Sequence, residues 1–202
     1  TLNEIRYVVA RCRDTGIKQV YSNIILGGAH YSRDVFRKNV TFAKELLTLG
    51  QGVVEIGVVS YWPLPETPMT EHPEKYGLII IDKEFLTSVD DFPQIKTMEL
   101  SEWEILEMIQ QMENELFEHK INMLKNREVP TERILSWFSR SSFMKYGYWW
   151  QVLMQNEVLY HYYHCLSTGE VITSADIFDF EHVRPMRVLT LKSNLHRKAE
   201  GK

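Results

Sequence analysis

The chain has almost no cysteine, no long apolar run and no surplus of basic charge, and each shortage removes a class of function. Cys12 and Cys165 are its only cysteines in 202 residues. They stand far apart and outside any Cys-x-x-Cys pattern, so they read as two reduced thiols of a cytosolic protein, with a disulfide between them as the competing reading. Neither anchors an iron–sulfur cluster alone, because such clusters take several thiolates. No stretch of about 18 apolar residues occurs, so the sequence predicts no membrane-spanning helix and no membrane partner. The net charge of −4 supplies no basic surface of the kind phosphate backbones require, which argues against a nucleic-acid partner. The first residues, Thr1-Leu-Asn-Glu-Ile-Arg6, lack the basic start and apolar run of a signal peptide, and a cytoplasmic location is expected. A chain that opens on Thr1 rather than methionine suggests an excised or processed piece. Internal repeats and low-complexity tracts are also missing.

What is present is ordinary for a globular protein: 44% apolar and 25% charged residues. A chain of this length buries roughly 70% of the surface its unfolded form exposes, which suits one domain, or one domain with a small appendage. Thr1 and Glu4 form a capping box, and Leu2, Ile5, Val8, Val9 and Cys12 repeat with helical period up to Gly16. Residues 18–26 are β-branched and aromatic enough for a strand. Ser32 caps a helix with the stripe Val35, Phe36, Val40, Ala43, Leu46 and Leu47, closed by Gly50 and Gly52. Residues 53–61 form a nearly continuous apolar run, as in a strand covered on both faces. Four prolines between Pro63 and Pro73 exclude regular helix or central strand up to Lys75. Residues 78–81 suit a short strand, and residues 87–97, with Asp90 and Asp91, look irregular.

The second part reads as mainly helical. Ser101 and Glu104 form another capping box before a helix of about 25 residues with Trp103, Leu106, Ile109, Met112, Leu116, Met123 and Leu124 on its apolar side. Pro130 starts a further helix, an aromatic region runs from Trp137 to Trp150, and one helix is expected over 148–166. Residues 183–191 suit a short strand. The chain thus divides near residue 98: residues 1–98 are αβαβ with a Pro-rich loop, and residues 99–202 are mainly α-helical.

Chemistry concentrates at the turn Gly27-Gly28-Ala29-His30-Tyr31-Ser32. Small residues admit a ligand close to the backbone, and the N–H groups opening the next helix favour anionic or polar groups. The plainer explanation is that tight βα turns use glycine; the third glycine of the dinucleotide fingerprint is missing. His30 is capable of acid–base work or of a purely structural hydrogen bond. On a helix, His161, His164 and Cys165 share one face at metal-ligand spacing, but no fourth ligand lies nearby and the flanking tyrosines suit a packed aromatic face, so no metal is assigned. The acidic helix from Glu102 to Glu118 reads as a solvated face.

Residues 1–75 resemble the C-terminal half of a radical S-adenosylmethionine enzyme barrel, particularly of those enzymes that carry an additional cobalamin-binding domain. Asp14-Thr-Gly-Ile17 resembles the family's helix end in Ala-Gly-Ile. Ile24-Ile-Leu-Gly-Gly-Ala-His-Tyr-Ser32 resembles its turn Ile-Ile-Gly-Leu-Pro-Gly-Glu-Thr, and residues 36–46 resemble the helix that follows. Trp62-Pro-Leu-Pro-Glu-Thr-Pro68 resembles its proline corner, with Glu66 in place of the usual glycine. Ala29-His30-Tyr31 stands where the family has Pro-Gly-Glu, and the Cys-x-x-x-Cys-x-x-Cys segment is absent.

The resemblance implies an α/β fold: a partial (βα) barrel of parallel strands followed by a mainly helical C-terminal region. It implies a C-terminal fragment whose parent enzyme holds S-adenosylmethionine and a [4Fe–4S] cluster, with cobalamin in some members, while this chain alone holds no cofactor and is inactive. Leu26, Gly27, Gly28 and His30 would then line the cofactor, and Ser60, Tyr61 and Trp62 would face the barrel mouth. The implied partners are the missing N-terminal barrel half and an unidentified small-molecule or peptide substrate. Two other readings compete: a non-catalytic α/β module that binds a partner through its aromatic helices, and a self-contained hydrolase or transferase using His30. A half barrel exposes edges and apolar faces, so the isolated chain should self-associate into a homo-oligomer or cover them with its C-terminal helices.

Overall fold

The computed structural model describes residues 1–81, 93–139 and 148–170. Four elements lead the chain: α1 (Leu2–Asp14), β1 (Val20–Leu26), α2 (Arg33–Gly50) and β2 (Val54–Ser60). The two strands are parallel and pair from Val20↔Val54 to Leu26↔Ser60. Both capping residues act as expected. The Thr1 and Ser32 hydroxyls accept from the backbones of Glu4 and Val35, satisfying N–H groups that a helix start leaves without partners. After α1 the chain turns through Gly16 at φ 77°; α2 ends with Gln51 in the left-handed region.

After β2 the chain passes the proline corner. The segment expected to lack helix in fact contains a single turn, α3 (Pro68–Glu71), and a 3₁₀ turn (Pro73–Tyr76). Each begins on proline, whose missing N–H is no loss at a first helical position. Next come β3 (Leu78–Ile80) and β4 (Ile95–Thr97), an antiparallel pair. Residues 95–97 were expected to be irregular. They form a strand because Ile95 and Thr97 alternate inward against β3, a three-residue signal too short for periodicity to reveal.

Among the described residues four helices follow: α4 (Glu102–Lys125), α5 (Thr131–Phe138), α6 (Tyr148–Met154) and α7 (Glu157–Thr168). The single helix expected over 148–166 is two, because Asn156 caps a new start with its side chain accepting from Leu159 N–H. The strand expected at 183–191 lies outside the described residues, as do Asp90 and Asp91.

The two parts share one core rather than separate ones. Leu26, Leu46, Val54 and Ile56 of the αβαβ part join Ile105, Met112, Ile121, Trp137, Trp149 and Tyr163 of the helical part. Arg33 bonds Glu104, Lys44 bonds Glu115 at 2.6 Å, and Thr48 meets His119 at 2.9 Å, each pair 71 residues apart. A constant offset means that α2 and α4 lie side by side and parallel, as successive helices of a βαβα unit do. The fold of the described residues is therefore mixed α/β, mostly helical, with two small two-stranded sheets among them. No barrel closure occurs among the described residues. Among them no helix is long and apolar enough to cross a membrane.

Sequence periodicity gave α1 one apolar face, but only Val9 of that face is buried; Leu2, Ile5 and Val8 are exposed. Val9 packs toward Gly50 of α2.

Candidate functional site

Parallel pairing sends the chain out of β1 and β2 at one end of the sheet. The ladder is continuous to that rim: Leu26 pairs with Ser60, and Tyr61 N–H donates to the Leu26 carbonyl at 2.6 Å. The turn after Leu26 and the corner after Ser60 therefore start side by side, which is where parallel α/β sheets place ligands.

The turn residues divide by environment. Gly27 has φ 80°, and a Cβ there would sit 2.9 Å from Ile95 Cδ1 and 3.2 Å from Ile105 Cδ1. Glycine is needed at this position to let β4 and α4 close over the rim. A Cβ at Gly28 would meet nothing within 4 Å among the described residues, and the Gly28 carbonyl accepts from Tyr31 N–H at 3.2 Å. His30 is exposed at φ 52°, donates its N–H to Tyr76 O at 2.9 Å, and lays its ring against Gly77. Tyr31 is buried, and its hydroxyl accepts from Asn39 Nδ2 at 3.3 Å. Burial pushes the Tyr31 phenol up to about 12, with the Asn39 hydrogen bond opposing the shift.

Ser60, Tyr61 and Trp62 are half-buried on the other side of the rim. The corner beyond them is tied locally: Thr67 Oγ1 donates to Leu64 O at 2.9 Å and Thr70 Oγ1 donates to the same carbonyl. Glu66 sits at φ 60°, a left-handed conformation that suits glycine and strains other residues.

The metal-spaced histidines separate. Cys165 Sγ lies 3.6 Å from His161 Nε2 and 3.7 Å from Glu170 Oε2. His164 instead stacks on Tyr160, their centroids 5.6 Å apart. Among the described residues no group of three or more His, Cys, Asp or Glu side chains is placed to hold a metal ion.

Sequence reading missed a buried ionic cluster at the opposite end of β2. Lys120 Nζ lies 3.2 Å from Glu55 Oε2, with the two side chains 4% and 3% exposed. The Trp149 backbone N–H donates to the Glu55 carboxylate, its indole N–H donates to Val54 O at 2.6 Å, and its ring lies 5.3 Å from Lys120 Nζ. Burial lowers the Lys120 pKa, and the Glu55 charge opposes that shift. Two signals were available: a carboxylate inside the apolar run 53–61, and a lysine on the apolar side of α4. The cluster lies at the N-terminal end of β2, away from the rim.

No protein-family model matches the chain, and no curated protein or solved structure matches it either.

Proposed function

We propose that the chain is the C-terminal part of a radical S-adenosylmethionine enzyme, supplying barrel strands and a substrate-side helical region. The observation that carries this reading is the in-register parallel pairing of β1 and β2, which brings Gly27-Gly28 and Tyr61-Trp62 to one rim. The backbone at Glu66 adds support. The resembling proline corners have glycine at this position, and here the chain adopts the conformation glycine favours. The parallel seam of α2 and α4 is what a continuing (βα) barrel would build.

Within this reading the residues take different roles. Gly28 is the point at which a cofactor approaches the chain, because Gly27 is covered by Ile95 and Ile105 while a Cβ position at Gly28 meets nothing within 4 Å among the described residues. Tyr61 and Trp62 offer half-buried aromatic surface to a substrate. No thiolate lies in the rim segments 26–32 and 60–68, so the [4Fe–4S] cluster does not fit this chain's residues and belongs to a segment supplied by the parent. That cluster would supply the reductive cleavage of the sulfonium cofactor. The partner-binding alternative has less support, since Trp137, Trp149 and Tyr163, which it would present to a partner, lie in the core.

The test is anaerobic iron–sulfide reconstitution of the longer parent protein. Cluster absorbance and 5′-deoxyadenosine formation are expected, with formation weakened by Gly28→Val. Absence of both cluster and product rejects the proposal.

A further inference from the structure

We draw no further inference here: the strongest candidate, the exposed apolar stripe of Leu2, Ile5 and Val8 on α1, carries nothing because nothing in the structure shows what covers it.

Discussion

At the scale of single residues, the least compromising feature is the Glu55–Lys120 pair. Two ions removed from water gain less from each other than their desolvation costs unless neighbours add hydrogen bonds, and Trp149 adds one to the carboxylate. Breaking the pair is therefore worse than removing it. Lys120→Met should destabilise the protein by about 3–5 kcal/mol, because it removes the cation 3.2 Å from a buried carboxylate. Adding Glu55→Gln should recover much of that loss, because the amide oxygen still accepts from Trp149 N–H. Urea denaturation of the four proteins in a double-mutant cycle measures it; additive losses would refute the coupling. Neither residue announced itself by motif, since an ion inside an apolar run gains meaning only when the fold supplies its partner.

His119 makes a second residue-scale prediction. Its pKa is lowered from 6.5 by burial first and by the Lys44 charge next, with Glu128 and a backbone hydrogen bond pulling the other way; Glu115 holds Lys44 in place. The unfolded chain therefore binds a proton that the folded protein refuses, and stability rises with pH between the folded pKa and 6.5. Acidification should lower stability from pH 6.5 downward until the folded ring titrates, and His119→Gln should remove that component. Proton NMR of the ring and denaturation at several pH values check both; a folded-state midpoint above 6.5 would contradict the sign.

At the scale of elements, boundaries set by side-chain chemistry were legible and those set by tertiary partners were not. The capping boxes at Thr1 and Ser101 placed α1 and α4, and Ser32 placed α2. The break between α6 and α7 was hidden because apolar spacing runs through it and only the Asn156 side chain marks the restart. The α1 stripe shows the reverse failure: periodicity identified a face, and the described structure leaves most of it uncovered. The proline corner yields the element-scale prediction. Glu66 occupies a conformation that costs a non-glycine residue about 1–2 kcal/mol, partly offset by the greater freedom glycine has when unfolded. Glu66→Gly should leave stability unchanged or raise it by up to about 1 kcal/mol, measured as a shift in the denaturation midpoint. A loss of more than about 1 kcal/mol would show that the Glu66 side chain, rather than its backbone, holds the corner.

At the scale of the whole molecule, strand direction decides the functional reading. The apolar runs 18–26 and 53–61 showed that two strands flank a helix, and a βαβ unit makes them parallel. The sequence could not supply the packing that follows, in which Ile95 of β4 and Ile105 of α4 cover Gly27, because those contacts join segments far apart in the chain. The most direct test is a nuclear Overhauser measurement on protein with labelled isoleucine and valine methyls. Cross-peaks between Ile24 and Val58 and between Ile25 and Val59 are predicted. Cross-peaks that instead join Ile24 and Ile25 to Val53 and Val54 would reverse the strand direction, place the two loops at opposite ends, and contradict the account.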